Sequence, residues 1–418
     1  MEKSSLIIAL LVSLSLLAGC YSSSKLNEPD YTYLYNPEQN LIKPDLKVYH
    51  HSNDSSALFF RINTEDVLYG RMQYDSSLTS RLLMKYKVFD YDGKDLLLDS
   101  ATIGLIDKER ESETQFLEGK VNVYMPAGKL YRLRVYFRDE YKDLNTVYER
   151  LYDKRLNGNQ EFYLLKQNGK VIYNSVAKDD DQISIHKSPL IAPQRYTLDS
   201  ANHEFKMTPP PFVEDAGQQQ ISFSNRSAIR IEDSVVIDKI SRLNRLIPED
   251  STLLRLHFFF FHQDFPYLTE LEQLIEPIRY ISTTAEYKRI KNSLNVKKEI
   301  DQFWLKIGKD ESKAKALIRE FYKRVEMANQ FFSTYREGWK TDRGIILIVY
   351  GQPTTINKDL NSESWIYGEE NNILSVKFTF RKIRSEESDN IFVLIRNEDY
   401  KSNWYRAVDD WRQGRINS

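Results

Sequence analysis

Alternating hydrophobic and polar positions mark the first third of the chain. Residues 83–91 and 130–137 place apolar side chains at every second position, as a strand with one buried face does. Asp92-Gly93 and Pro126-Ala127-Gly128 supply the turn residues that bound such runs. Short strands separated by turns predict an immunoglobulin-like β-sandwich domain over residues 46–157.

A second β-rich segment covers residues 158–265. Residues 161–165 and 171–173 flank the turn Asn168-Gly169, which predicts a hairpin. Residues 256–262 include four consecutive phenylalanines and predict a strand buried on both faces, with an exposed partner-binding edge as the alternative. We therefore expect a second β-sandwich domain here.

The hydrophobic period changes to that of helices after Leu271. Thr283 and Glu286 have the spacing of a capping box. Later apolar residues recur at helical spacing in two stripes: Ile300, Phe303, Trp304 and Ile307, then Leu317, Phe321, Val325, Ala328 and Phe332. These stripes predict helices that pack on one side of a domain.

Four apolar runs follow the helices and predict an antiparallel sheet of strands at residues 345–350, 364–367, 374–380 and 390–395. Residues 404–411 then predict a short helix or an extended cover that docks aromatic side chains. The predicted fold is mainly β: two N-terminal immunoglobulin-like β-sandwich domains are followed by an α+β domain of helices plus an antiparallel sheet at residues 266–418.

The N-terminus predicts a membrane anchor. Lys3 precedes an apolar stretch at residues 6–18 that has the length of a signal peptide and is too short to span a bilayer. Leu17-Ala18-Gly19-Cys20 resembles a bacterial lipobox, so we expect a signal peptide at 1–19 and acylation, including palmitate, at Cys20. The alternative is a secreted protein whose single cysteine falls there by chance.

The residues after Cys20 predict where the anchor lies. Residues 20–45 are rich in serine at first and lack a hydrophobic period, which is typical of a tether. No acidic residue follows Cys20 directly, which favours the outer membrane over inner-membrane retention. The absence of an early acidic run favours the periplasmic side over the cell surface.

Composition narrows the classes of function. A net charge of −1 argues against nucleic-acid binding, and a single cysteine excludes an intrachain disulfide. Aromatic residues make up 13% of the chain, including 27 tyrosines, which fits packing in β-sheets more simply than a recognition surface. The six histidines lack zinc-site spacing, so no metal or cofactor is predicted. An acidic run at 179–181 is interpreted as a solvated loop rather than a calcium site.

One motif gives a resemblance to a known family. Gly338-Trp339-Lys340-Thr341-Asp342, followed by Arg343 and by Tyr350-Gly351-Gln352-Pro353, resembles the GWxTD domain family over about residues 270–400. The resemblance implies a cell-envelope protein, often a lipoprotein. The family brings no established activity with it.

The candidate site residues are Gly338, Trp339, Thr341, Asp342 and Arg343, as a binding motif or a structural one. Asp342 paired with Glu326 has the chemistry for acid–base catalysis. The structural alternative is that Asp342 caps backbone amides at a helix-to-strand corner while an arginine, Arg324 or Arg343, pairs with a carboxylate.

Three functions remain open from the sequence. The first is a non-enzymatic scaffold or accessory subunit of an outer-membrane complex for barrel assembly, secretion or gliding. The second is a glycan or peptidoglycan binding module with Trp339, Trp365 and Tyr367 as a stacking surface. The third is a hydrolase that uses the carboxylates of Glu326 and Asp342.

Overall fold

The computed structural model describes residue 31 and residues 42–72, 75–108, 116–142, 144–155, 159–178, 182–214, 221–238, 241–359, 361–369 and 375–416. The predicted signal peptide, the predicted acylation site Cys20, most of the predicted tether and the acidic run at 179–181 lie outside these residues. Within them, the chain forms five sheets and six α-helices. No helix in this described part combines the length and the apolar character that crossing a bilayer requires.

Two antiparallel sheets form the first β-sandwich. One sheet has the order β1-β2-β6, from Asp45–Tyr49, Ser55–Asn63 and Phe116–Tyr124. The other sheet is β3-β4-β7-β8 with β5 on β4, from Tyr69–Met72, Asp75–Asp90, Leu130–Asp139, Leu144–Asp153 and Leu96–Lys108. Leu82, Met84, Tyr86 and Val88 of β4 face the other sheet and are buried. This period of two is the pattern that predicted the sandwich.

The second β-sandwich also packs two sheets on one core. Its smaller sheet has the order β10-β9-β12-β15, from Lys170–Val171, Tyr163–Gln167, Ile183–Lys187 and Ser234–Ile237. Its larger sheet has the order β11-β17-β16-β13-β14, from Val176–Lys178, Leu256–Phe261, Leu243–Pro248, Gln194–Ala201 and Asn225–Ile231. The predicted hairpin is confirmed, because β9 and β10 pair across Asn168 and Gly169, which both have positive φ.

Strand β17 is buried on both faces, as the phenylalanine tract predicted. Leu256, Phe258 and Phe260 enter the core of the second sandwich. Phe259 and Phe261 face the opposite way, into a cluster with Tyr335 and Ile391 of the C-terminal domain. One strand therefore supplies both a sandwich core and the contact with the next domain.

The C-terminal domain begins with helices. They are α1 Leu271–Ile275, α2 Thr284–Lys291, α3 Val296–Gly308, α4 Glu311–Phe332, α5 Asp342–Tyr350 and α6 Tyr400–Arg412. The capping box predicted at Thr283 is present: the Thr283 hydroxyl accepts from the Glu286 N–H, and the Glu286 carboxylate accepts from the Thr283 N–H. The predicted C-terminal element is a helix, α6, which buries Trp404 and Trp411.

A four-stranded antiparallel sheet completes this domain, with the order β18-β19-β20-β21 from Thr355–Lys358, Ser362–Tyr367, Val376–Lys382 and Phe392–Leu394. The strand predicted at residues 345–350 is wrong, because this run is helix α5. Its residues Ile345 to Val349 are all buried, so the helix has no polar face and its sequence lacks a helical period. The fold class, mainly β with an α+β C-terminal domain, is confirmed.

The chain touches the C-terminal domain before it enters the first sandwich. Tyr31 donates its backbone N–H to the carbonyl of Ile356 in β18 at 2.8 Å and packs against the C-terminal core. Ile42 then lies in the core of the first sandwich. Tyr31 is thus held at the edge of the last sheet.

Candidate functional site

The GWxTD motif forms the corner between α4 and α5. After α4 ends at Phe332, the chain turns through a short 3-10 helix at Gly338–Lys340. A Cβ atom on Gly338 would lie 1.8 Å from the carbonyl oxygen of Ala328, and one on Gly344 would lie 2.0 Å from the carbonyl oxygen of Gly338. Only glycine allows these backbone segments to approach so closely.

Thr341 is the N-cap of α5. Its backbone is extended, with φ −95° and ψ 164°, and its hydroxyl accepts from the Gly344 N–H at 3.1 Å. The same hydroxyl donates to the carbonyl of Gly338 at 2.7 Å. Threonine supplies both the donor and the acceptor that this corner needs, which alanine or valine would not.

Asp342 connects α5 to the end of the last strand. Its carboxylate accepts from the Leu394 N–H at 2.9 Å and forms an ion pair with Arg396. Arg396 also donates to the carbonyls of Pro210 at 2.6 Å and Val213 at 3.0 Å. The predicted capping of the corner by Asp342 is wrong, because Thr341 is the cap and Asp342 accepts from an amide at the end of β21. The corner also joins two helices rather than a helix and a strand.

Arg343 is almost completely buried beside an equally buried carboxylate. Its guanidinium lies 3.2 Å from Glu363 and donates to the carbonyl of Asn390 at 2.8 Å. The guanidinium of Arg343 also lies over two aromatic rings, 4.7 Å from the ring centre of Phe332 and 4.1 Å from that of Phe392. A buried carboxylate needs such a partner, because desolvation of an unpaired charge costs several kcal/mol. The predicted pairing of Arg343 with a carboxylate is confirmed.

Arg324 shows the same pattern. Its guanidinium lies 2.6 Å from the carboxylate of Glu320, one helical turn earlier in α4. The same guanidinium lies over the ring of Trp411, 5.0 Å from the ring centre. Both arginines weighed in the structural interpretation therefore pair with carboxylates inside the domain.

The aromatic residues considered for glycan stacking are part of the core. Trp339 is buried against Tyr280 at 6.2 Å, with the Lys340 ammonium 5.0 Å from its ring centre. Trp365 is fully buried. Tyr367 is half-buried and donates its hydroxyl to the carbonyl of Gly351 at 2.8 Å. The prediction of a stacking surface is wrong for both tryptophans, because their faces are not exposed to solvent.

Glu326 and Asp342 bind different segments of the chain. Glu326 accepts from the Leu268 N–H at 3.0 Å, and nearby Asn329 donates to the carbonyl of Pro266 at 3.2 Å. Asp342 instead binds Leu394 and Arg396. Each carboxylate thus holds a passing segment against the helices, which is a structural use of both groups.

The loop between β20 and β21 joins all three domains, a feature that the sequence did not predict. Asp389 of this loop lies 2.7 Å from Arg150 of the first sandwich, and Arg150 lies 3.6 Å from Glu161 of the second. Asn390 donates to the carbonyl of Phe331, at the end of α4, at 2.9 Å. The charge of Arg150 lowers the pKa of Asp389. These residues lie far apart in sequence, so no local pattern marks them.

A pocket of about 220 Å³ lies at this junction, and all three domains line it. Its charged side chains include Lys47, Arg150, Glu161 and Asp389. Arg150 forms ion pairs with Glu161 and Asp389, and Lys47 donates to the backbone carbonyl of Gln160. Two further lining residues, Asp45 and Glu387, are acidic, so the pocket is a seam between domains with an excess of acidic side chains.

Two histidines, His50 and His257, are buried in the described residues. Burial lowers the pKa of His50 to about 3, and it lowers the pKa of His257 to about 3 as well, so both rings stay neutral at physiological pH. The described residues contain no group of three or more histidine, cysteine or acidic side chains placed to hold a metal ion.

Comparison with known proteins identifies one domain. A family model described as the GWxTD domain matches residues 246–413, from β16 to the end of α6. No curated protein matches this chain.

Two of the solved structures that match this chain are distant from it in sequence. One is a calcium-binding mutant of Bacteroides uniformis β-glucuronidase 2, with 12% identity and a TM-score of 0.19, covering 35% of this chain and 17% of that one. Another is red sea bream transglutaminase, with 9% identity and a TM-score of 0.19, covering 53% of this chain and 31% of that one. The chain thus spans less than a third of either protein, and neither likeness carries an argument.

Proposed function

Since the chain belongs to the GWxTD domain family through residues 246–413, we propose that it is a non-enzymatic scaffold or accessory subunit of an envelope protein complex. In this proposal, acyl chains on Cys20, palmitate among them, anchor it in the outer membrane on the periplasmic side. The complex is of the barrel-assembly, secretion or gliding type.

One observation carries this proposal: the polar side chains of the defining motif are all used to hold the chain together. Thr341 caps a helix, Asp342 binds β21 and Arg396, and Arg343 neutralises Glu363. A family defined by residues with these contacts shares an architecture rather than a reaction. Such an architecture suits a protein whose work is to position others.

The contacts between domains support the same proposal. Phe259 and Phe261 pack on Tyr335 and Ile391, and Arg242 lies 2.5 Å from Glu337 across the same contact. Burial would raise the pKa of Glu337, but the positive charges of Arg242 and Lys340 outweigh it and lower the pKa. A scaffold needs domains held in fixed relative positions, and an apolar contact reinforced by ion pairs provides that.

An exposed sheet edge offers a surface for a partner. Strand β5, Leu96–Lys108, pairs only with β4 among the described strands. Leu96 and Ile106 of this strand are each 62% exposed. An uncovered edge strand with exposed apolar residues is a template for pairing with a strand of another protein.

Site-specific photo-crosslinking in cells tests the proposal. A photoreactive amino acid replaces Ile106, and a matched variant carries it at Val236, which is 61% exposed on edge strand β15 of the second sandwich. We expect a stoichiometric outer-membrane protein to crosslink to the Ile106 variant and not to the Val236 variant. Mass spectrometry after purification through a C-terminal tag identifies it.

Two results would count against the proposal. Recovery of the protein alone from both variants would remove the argument for a complex. Recovery with cell-wall fragments and no protein partner would favour the glycan-binding alternative over the scaffold.

A further inference from the structure

The helices of the GWxTD domain carry a local excess of positive charge. Residues 284–324 contain twelve Lys and Arg against six Asp and Glu, a net charge of +6, although the whole chain has a net charge of −1. Charge separated in this way produces a local field that attracts anions, and it predicts a partner with negative charge.

This charge surrounds an exposed leucine at the loop between α2 and α3. Leu294 is completely exposed, and four lysines lie within six residues of it, all of them exposed: Lys288, Lys291, Lys297 and Lys298. A single exposed leucine is common on protein surfaces, so the informative feature here is the set of exposed lysines on both sides of it. This arrangement indicates that Leu294 leaves water when it contacts the surface of a binding partner.

The acidic side chains of the two helices do not neutralise these lysines. Glu286 binds Arg412 at 2.8 Å and Lys306 at 3.2 Å, and Glu299 lies 2.7 Å from Arg289. Asp301, the other acidic residue of α3, forms no ion pair with Lys297 or Lys298 within the described residues. No ion pair of the four lysines around Leu294 is found within the described residues. Their charge is therefore available to an external anion.

The position of Tyr31 provides an independent argument about location. Tyr31 is bound to β18 of the same domain, eleven residues after the predicted acylation site at Cys20. A fully extended chain of that length reaches at most about 40 Å. An anchor at Cys20 would therefore keep the GWxTD domain, rather than only the first sandwich, close to the membrane surface.

From these observations, we propose that the α2–α3 loop docks on an anionic phospholipid surface, with Leu294 inserted at the headgroup level and the four lysines at the phosphates. The inference rests on the proposed anchor at Cys20, which would supply proximity. Membrane attachment by acyl chains is strengthened by a nearby basic patch, and an apolar tip among lysines adds a short insertion.

A lipid surface fits these residues better than an acidic protein does. Leu294 is a single protruding side chain, and it is surrounded by lysines with long flexible stems. Protein interfaces instead have a closely packed apolar centre and are depleted in lysine. Lysine stems adapt to mobile phosphates, and their apolar part packs at the headgroup level.

Fluorescence of a labelled Leu294→Cys variant tests the inference in the full lipidated chain. Cys20 is the only native cysteine, so an acylated protein offers the new thiol alone to an environment-sensitive dye. We expect a blue shift of emission after reconstitution in vesicles of phosphatidylcholine with phosphatidylglycerol. The shift should be lost in phosphatidylcholine alone and at high salt.

Matched variants separate docking from proximity. The same dye at Leu96→Cys, on β5 of the first sandwich, should show no shift. Adding K297Q and K298Q to the Leu294→Cys chain should abolish the shift, because each lost lysine weakens binding to an anionic surface about fivefold. Adding K85Q and K170Q instead removes the same charge from exposed positions of the sandwiches and should leave the shift intact.

Three outcomes would overturn the inference: no shift at position 294, an equal shift at position 96, or a shift that needs no anionic lipid. Photo-crosslinking from position 294 to a protein in cells would also overturn it, in favour of an acidic protein partner. Failure of the anchor gives a different result. In that case, the unsubstituted chain would react with the dye at Cys20, and its mass would lack acyl groups.

Discussion

At the scale of single residues, the GWxTD motif depends on two close approaches between backbone segments. Gly338 and Gly344 lie where a Cβ atom would overlap carbonyl oxygens of Ala328 and Gly338. Thr341 and Trp339 then fix the turn by a cap and by packing. The spacing of the motif residues is thus a consequence of geometry at one corner.

Gly338→Ala tests this geometry. The new methyl group would displace α4 or the 3-10 turn, so we expect a loss of about 3 kcal/mol or more in the free energy of unfolding. Gly104→Ala is the matched control, because a Cβ there meets nothing within 4 Å. Urea unfolding at equilibrium measures both, and equal stability of the two variants would contradict the argument.

The Arg343–Glu363 pair gives a second residue-level prediction. Arg343→Met removes the buried cation from the buried Glu363 carboxylate, although the half-exposed Lys358 stays 2.8 Å from it, so we expect a loss of about 3 kcal/mol. Adding Glu363→Leu should restore much of that stability, because the buried carboxylate is removed as well. Chemical unfolding of the two single variants and the double variant measures this coupling. Additive losses would show that the two charges act independently.

The sequence could predict some of these residues and not others. The resemblance located Asp342 and Arg343, and their spacing from a helix suggested a capping role. Their partners Glu363, Asn390 and Arg396 lie between 20 and 54 residues away. Nothing local in the sequence indicates which distant strand end or loop returns to the corner, so these partners required the structure.

At the scale of elements, α5 shows where hydrophobic periodicity fails. A helix that is buried on every side contains no polar face, and its run of Ile, Leu and Val is the same as that of a buried strand. The residues that indicate a helix lie at the two ends of this run. Thr341 is an N-cap followed by an acidic residue, and Gly351, with φ 81°, ends the helix shortly before Pro353.

One ionic contact between α6 and α2 yields a pH prediction. Glu286 receives a hydrogen bond from Arg412 at 2.8 Å, which lowers the pKa of Glu286. A carboxyl group with a lowered pKa in the folded state stabilises above its unfolded pKa, about 4.3, and loses that contribution as pH falls through the folded pKa.

We therefore expect Glu286→Gln to lower the melting temperature at neutral pH and to match the unsubstituted chain more closely as pH falls below about 4. Glu311→Gln is the control, because Glu311 is exposed and pairs only with Lys315 of its own helix. Thermal unfolding followed by circular dichroism from acid to neutral pH measures the difference. A gap that does not change with pH would rule out the ionic explanation.

At the scale of the whole molecule, β17 is the element through which the second sandwich and the GWxTD domain share a core. The family match begins at residue 246, before β17, so the domain recognised by sequence already includes this strand. The four phenylalanines predicted burial on two faces. What the second face contacts is decided by tertiary packing, and the structure shows Tyr335 and Ile391 there.

Substitutions on the two faces of β17 should therefore have different structural effects. Phe261 stacks on Phe265 at 4.4 Å and faces the C-terminal domain, so Phe261→Ser should loosen the contact between domains. Phe260 faces the sandwich core, so Phe260→Ser should destabilise the second sandwich by about 3–5 kcal/mol. Small-angle scattering should show a larger radius of gyration for Phe261→Ser while its domains stay folded.

Tyr335→Ala removes the same contact from the opposite side and should reproduce the Phe261→Ser result, because both side chains belong to one apolar cluster. An unchanged radius of gyration in both variants would mean that the ion pairs Arg242–Glu337 and Arg150–Asp389 hold the domains without it. In that case high salt should separate them, since exposed ion pairs weaken as ionic strength rises. The scattering experiment at low and high salt thus decides whether apolar packing or charge holds the second sandwich and the C-terminal domain together.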